Sequence, residues 1–403
     1  MIAYNQEFIN NLVLVKKAKQ WYARNLISDL QMVNIQKKYS TDFYNPNLFV
    51  KIGLFIFTSI AVTAALGFYS LFFFTAINGL ELSGVFPIFT CVLFAGICIA
   101  ALELFIQNKL IYRSGVDEAL LYSALGFILS AIIYSINSSS SNTTLIAAIA
   151  FFPFVVVASI RYVDTIVSIV AVLCVYIILF LLLLKIGAIA KLIMPFFLML
   201  VSAMFYFIVK KQKQKDGLLP WKNCLVSVEC TAMIVFYLAC NYFVIRESSI
   251  SFFNMEISNG EDIPLAFVFY TLTAIVPLAY VFMGLKNKDK ISLWTGLLLL
   301  AMAVLTFKYY FSLGHPEISL SVAGIVMIML AYLSIRYLKT EKHGITFKED
   351  IDEDNFLKTN AEALLIAQSF SQQVHSSSQP ENNLGSSNFG GGDFGGAGSG
   401  GNY

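Results

Sequence analysis

Ten apolar runs of about 20 residues follow one another from residue 49 onward, and no other feature limits the fold of this chain as strongly. A helix rises about 1.5 Å per residue, so about 20 residues cross a hydrocarbon core roughly 30 Å thick. The runs lie at 49–75, 85–106, 118–136, 144–160, 165–184, 187–209, 223–245, 264–285, 291–311 and 319–337. The breaks around the fourth, fifth and sixth are thin: SSSSNTT, then Arg161 to Asp164, then LLLLKIGAIAK. In lipid every backbone N–H and C=O must be bonded internally, which leaves helices and closed barrels. The runs are unbroken and lack the alternation of a barrel strand. The expected fold is therefore all-α, a polytopic integral membrane helix bundle of about ten transmembrane helices. Composition agrees, with 58% hydrophobic and 13% charged residues, where soluble domains carry about 25% charged.

Orientation follows from where Lys and Arg fall in the loops. With the N-terminus in the cytoplasm, ten spans place 22 of the 27 basic residues inside, including the cluster from Lys210 to Lys222 and the turn from Lys286 to Lys290. Lys185, Lys191, Arg246 and Lys308 fall outside, and Lys51 sits at the inner mouth of the first span. Removing one span would move a block of basic residues to the wrong side. Lys185 and Lys191 flank a short outer turn and are expected to snorkel. Pro87, Pro153, Pro195 and Pro277 are expected to kink their spans.

The chain divides into four parts: a cytoplasmic amphipathic segment (1–47), the bundle (48–338), an acidic and partly helical linker (339–371), and a Ser/Gln/Asn/Gly-rich tail (372–403). In the first part Phe8, Leu12 and Val15 recur at helical spacing, and so do Leu26, Leu30 and Val33. Ser28 with Gln31 is a capping-box pair, so the second helix starts there. Its basic residues suit a face beside anionic lipid, although the pair could equally pack under the bundle. The tail is too polar to bury a core and is expected to be disordered. Its Gly396, Gly398 and Gly401 satisfy G-x-G-x-x-G, but a dinucleotide loop must follow a strand and open a helix. Only Asn402 and Tyr403 come after the last glycine, so the match reflects glycine density. With Phe389, Phe394 and Tyr403 set in glycine, the tail is a candidate contact for a protein partner.

The segment WYARNLISDLQMVNIQKKY, followed directly by FVKIGLFIFTSIAVTAALGF, resembles a group of bacterial membrane proteins of unknown function. Those proteins open with a short cytoplasmic helical segment (a W…GLI…Q…I…Y pattern) and continue into many hydrophobic helices. The resemblance covers roughly residues 15–75 and extends to GVDEALLYSALGF at 115–127, with Arg24-Asn25 where a glycine is common. It implies a multi-pass protein of the bacterial inner membrane with both ends cytoplasmic. It implies no activity.

Charged side chains inside spans are costly and are functional candidates by default. Glu229, in CLVSVECTAMIVFY, is the deepest acidic residue, about two turns in from the cytoplasmic face. Glu103 lies near the inner end of the second span, Asp117 and Glu118 open the third, and Arg161 with Asp164 marks the turn between the fourth and fifth. All six share one membrane half. A buried carboxylate there pairs with a base such as Arg161 or stays protonated. As a functional site, Glu229, Glu103, Arg161, Asp164 and Glu118 would form a cytoplasm-facing polar pocket for a small solute or ion. The bland alternatives are helix N-terminal charges for Asp117 and Glu118, interfacial reach for Glu103, a loop ion pair for Arg161 with Asp164, and a satisfied hydrogen bond for Glu229.

Catalytic motifs are missing: the sequence has no G-x-S-x-G, H-E-x-x-H or P-loop. The six cysteines form no C-x-x-C pair, and His315, His343 and His375 stand far apart, so neither a metal nor another cofactor is expected. The basic residues flank spans, which argues against nucleic-acid binding. The expected partner is the lipid bilayer. The expected role is non-catalytic (a membrane scaffold, a sensor or an envelope-associated protein), with a solute or ion transporter built around Glu229 as the alternative.

Overall fold

The computed structural model describes residues 2–23, 25–40, 43–44, 46–77, 85–109, 111–136, 142–187, 190–213, 215–253, 262–287 and 289–310, with isolated helical positions between 321 and 336. The tenth expected span, at 319–337, lies largely outside the described residues, and the linker and tail lie wholly outside them. Twelve α-helices are described: α1 (Gln6–Ala23), α2 (Asp29–Lys38), α3 (Leu48–Ile77), α4 (Val85–Lys109), α5 (Val116–Ser135), α6 (Thr143–Tyr162), α7 (Thr165–Leu184), α8 (Ala190–Gln212), α9 (Lys222–Cys240), α10 (Tyr242–Phe253), α11 (Ala266–Asn287) and α12 (Lys290–Tyr310). Among the described residues, nine of these, α3 to α9 with α11 and α12, are long and apolar enough to cross a membrane.

The spans pair in sequence order. The hairpins α4–α5, α6–α7, α8–α9 and α11–α12 are the closest-packed units, α3 lies on α5, and α7 against α9 joins one half to the other. Among the described residues two larger apolar cores result, beside a smaller cluster of Tyr242, Ile245, Ile263 and Phe269. One runs through α4 to α7 and includes Leu102, Leu121, Val155 and Val167. The other joins α9, α11 and α12 through Tyr237, Val276, Leu299 and Ala303. The outward faces remain apolar: Phe57 is 71% and Leu71 72% exposed. Such side chains at membrane depth face lipid, because no core is available to take them. In the α11–α12 hairpin two glycines permit a close crossing. A Cβ on Gly284 would sit 2.6 Å from the Leu293 nitrogen, and one on Gly296 would sit 2.7 Å from the Val281 nitrogen. Small residues that bring backbones together are the usual device where the hydrophobic effect does not drive helices together.

One end of the bundle collects the basic turns. Ala3 N donates to the Arg161 carbonyl at 2.9 Å, Tyr44 bridges to Ile111, and Trp221 Nε1 donates to the Ile160 carbonyl at 3.1 Å. These bonds tie the N-terminal segment and the α4–α5, α6–α7 and α8–α9 connections together. We call this the basic end.

The two N-terminal helices behave differently. The Tyr4, Ile9 and Ala18 side chains are buried, and Tyr4, Phe8 and Phe43 pack with Tyr112 as an aromatic group at the basic end. The buried face of α1 is thus set by Ile9 and Ala18, while Phe8, Leu12 and Val15 are half-buried. The capping box at Ser28 is formed, with Ser28 N donating to Gln31 Oε1 at 2.9 Å. Leu26, Leu30 and Val33 of the α2 region, however, are exposed.

Two expectations require correction. The seventh span does not run from 223 to 245. Helix α9 ends at Cys240, Asn241 takes an extended conformation, and α10 starts at Tyr242. Side chains of α10 from Val244 to Ser249 share a pocket with Met194 and Pro195 of α8 and Val235 and Leu238 of α9, and Phe252 packs edge-on against Phe180 of α7. The α10 helix therefore folds across the end of the bundle opposite the basic end. Hydropathy cannot see this break, because every residue around Asn241 is apolar or aromatic. Pro87 also stands in the first turn of α4, where its missing N–H removes no helical bond, so it cannot kink that span.

Candidate functional site

The five candidate residues and Asp117 all lie toward the basic end, in separate arrangements. Asp117 is the most completely satisfied. Its Oδ1 accepts from Ser114 N at 2.9 Å and Ser114 Oγ at 3.1 Å. Its Oδ2 accepts from Arg113 N at 2.8 Å and from the Tyr4 hydroxyl at 3.2 Å. This carboxylate closes the turn that opens α5, where the helix dipole also favours negative charge. The turn needs help, because Arg113 has φ 53° and Gly115 has φ 96°. Gly115 also abuts α3, and a Cβ there would lie 2.2 Å from the Lys51 carbonyl oxygen. Burial, reinforced by the Asp117 charge, holds the Tyr4 phenol above its ordinary pKa, so Tyr4 remains a donor.

Next to it, Lys51 Nζ of α3 meets Glu118 Oε1 at 2.5 Å. Asp164 caps α7, accepting from Val167 N at 2.8 Å, and it also accepts from the Tyr122 hydroxyl at 3.1 Å. Tyr122 thereby links α5 to the α6–α7 turn. Arg161 does not pair with Asp164. Its Nε donates to Glu103 Oε1 at 2.8 Å, and the same oxygen accepts from the Tyr162 hydroxyl at 2.7 Å. The reason lies in local geometry: Asp164 is turned back onto the first turn of α7 by its capping bond, while Arg161, on the last turn of α6, faces α4.

Glu229 stands apart from these. Its base is Lys213, with Nζ to Oε2 at 2.5 Å, and its side chain is 1% exposed against 20% for Lys213. Its second oxygen, Oε1, is buried without a hydrogen-bond partner among the described residues. One turn further along α9, Ala232 and Met233 border a cavity of about 280 Å³ with Tyr206, Tyr280 and Ser292. Glu103 and Arg161 line a different cleft, walled by α4, α5 and α6. The structure thus brings Asp117, Glu118 and Asp164 around Tyr122, brings Glu103 to Arg161, and leaves Glu229 with Lys213. Among the described residues, no group of three or more His, Cys, Asp or Glu is placed to hold a metal ion.

Several partners escaped the sequence reading. Lys213 belongs to a cluster that orientation alone explained, and only its distance back along the α8–α9 hairpin would have aligned it with Glu229. Tyr4, Tyr122 and Tyr162 carry the phenols that satisfy carboxylates, yet in sequence they are simply aromatic residues. At the far end, Asn241 Nδ2 donates to the Tyr237 hydroxyl at 2.9 Å and Thr306 Oγ1 at 3.0 Å. Tyr242 N, freed by the helix break, donates to Thr273 Oγ1 at 3.0 Å. Irregular backbone is tolerated at such depth only when neighbours re-satisfy it in this way.

Nine apolar membrane-length helices with outward apolar faces and a polar, bonded basic end define an α-helical multi-pass membrane protein. No family model, curated protein or solved structure matches the chain.

Proposed function

We propose that the chain is a non-catalytic multi-pass protein of the bacterial inner membrane, with a scaffolding, sensing or envelope-associated role. Both ends lie in the cytoplasm in this reading, as the loop charges require. The observation that carries it is the state of the charged side chains. Asp117, Glu118 and Asp164 each serve a turn, a cap or an interhelical contact. Groups consumed in this way hold helices in register and are poorly placed to release and rebind a solute. Residues 372–403 supply the partner contact, through aromatic side chains spaced by glycine. Profiling a deletion strain for envelope and solute-uptake defects tests the proposal. Envelope defects with normal uptake are expected, and a defect confined to uptake of one solute would overturn it.

One observation favours a second reading, a small-solute or ion transporter. Glu229 Oε1 is buried without a hydrogen-bond partner among the described residues, and a half-satisfied carboxylate is a natural proton or cation site. Under that reading Glu229→Gln abolishes uptake at unchanged protein abundance. Under the preferred reading it leaves uptake intact, with any loss of phenotype following from lowered abundance of the protein.

A further inference from the structure

The cleft between α4, α5 and α6 has two distinct ends. It encloses about 660 Å³. Its walls are apolar, formed by Leu125, Ile128, Phe154 and Val157, while Glu103, Gln107 and Arg161 line its other end. From Pro153 to Arg161 it follows two turns of α6, about 12 Å at the helical rise. The walls belong to three membrane-length helices, so at that depth the cleft is closed to a water-borne ligand. Its polar end lies where α6 ends and α4 is six residues from its own end, at the level where a bilayer changes from tails to headgroups.

The polar end has a specific charge pattern. Arg161 uses Nε on Glu103, and Glu103 takes both of its bonds on Oε1. The Arg161 side chain, whose guanidinium lies 5.9 Å from the Tyr162 ring centre, is 43% exposed and that of Glu103 is 21% exposed, so the two form an accessible, adjacent cation and anion. A guanidinium binds phosphate oxygens with matched planar geometry, and a carboxylate binds an ammonium. We infer that this cleft is a binding site for a zwitterionic phospholipid, with one acyl chain along α6, the phosphate on Arg161 and the ammonium on Glu103. The occupant is a lipid and not a second helix because the acid–base pair complements a phosphate–ammonium head, and apolar walls beside such a pair suit a single chain.

The test uses the full chain, purified in detergent and stripped of lipid. Native mass spectrometry then measures retention of phosphatidylethanolamine, phosphatidylglycerol and diacylglycerol, which lacks a headgroup. Phosphatidylethanolamine is expected to be retained about tenfold better than diacylglycerol, a difference of about 1.4 kcal/mol. Arg161→Gln removes that advantage; the Arg161 carbonyl that accepts from Ala3 is unchanged. Glu103→Gln leaves the guanidinium alone and shifts preference to phosphatidylglycerol. Val157→Trp, at a 62% exposed position, fills the cleft and lowers retention of all three. Equal retention of diacylglycerol and phosphatidylethanolamine, or an unchanged headgroup preference in Glu103→Gln, overturns the inference. So does a dimer of the chain that Val157→Trp abolishes, since the cleft would then hold a second copy.

Discussion

Replacing Asp117 tests whether the basic end is held by its carboxylates. The four bonds to Asp117 divide between its oxygens, two to each. In Asp117→Asn, one oxygen keeps its pair, and an NH₂ group faces the other two donors. At either position a hydroxyl, of Tyr4 or of Ser114, can rotate and accept from the NH₂. The backbone N–H there, of Arg113 or of Ser114, cannot, and it is left orphaned beside the NH₂. A hydrogen bond to a charged group is worth roughly 1.5–3 kcal/mol, and an unsatisfied buried donor costs about 1–3 kcal/mol. Losing negative charge at the start of α5 adds about 0.5 kcal/mol. The expected loss is about 3 kcal/mol. Because Tyr4 shares the site, Tyr4→Phe should cost about 1.5 kcal/mol alone and under about 0.5 kcal/mol when combined with Asp117→Asn, a coupling of about 1 kcal/mol. Reversible unfolding in mixed detergent micelles reads these values, and hydrogen exchange reads the Arg113 and Ser114 amides. A loss below about 1 kcal/mol, or unchanged protection of both the Arg113 and the Ser114 amides, would refute the reasoning.

Three further substitutions follow from the same contacts. Gly115→Ala forces a Cβ into a positive-φ backbone and against the Lys51 carbonyl; a loss of at least about 2 kcal/mol is expected, and a neutral result in the same unfolding assay would remove the α3–α5 contact from the account. Asn241→Ala strips Tyr237, Thr306 and Val244 of a shared partner; it should cost about 2 kcal/mol and speed exchange of the Tyr242 and Val244 amides, whereas unchanged exchange would show that the break holds itself. Gly284→Ala should separate α11 from α12, read as increased spin–spin distance between labels on the two helices, and a distance within about 1 Å of the parent would contradict the close crossing.

Much of the fold was legible because the bilayer imposes a length. Spans such as 165–184 need no partner to declare themselves, and α7 occupies that interval. The Ser28–Gln31 capping box was equally readable, since a cap is a local bond. What stayed hidden depends on tertiary placement. The break at Asn241 is masked by its neighbours, because Tyr237, Thr273 and Thr306, which make it tolerable, come from three helices. Glu229 could be flagged as costly, but choosing Lys213 over Arg161 requires knowing that α8 and α9 form a hairpin. Arg161 and Asp164, three residues apart, looked like partners. Helix capping by Asp164 separates them, and that choice is settled by the α6–α7 turn, where Val163 adopts φ 52°.

In the proposed function, buried charge serves structure. Glu229 and Lys213 test it most directly, because their pair is buried and Glu229 Oε1 also carries the transporter alternative. Removing one partner of a buried pair costs about 3–5 kcal/mol, and less here because Lys213 is partly exposed; replacing both with apolar side chains of similar size is often neutral or stabilising. The decisive measurement is complementation of a deletion strain by Glu229→Leu/Lys213→Met, with membrane abundance quantified alongside. The structural account predicts that each single substitution lowers abundance and that the double variant restores both abundance and every phenotype of the parent. A double variant that is as abundant as the parent yet fails to complement would contradict it and assign the pair to transport.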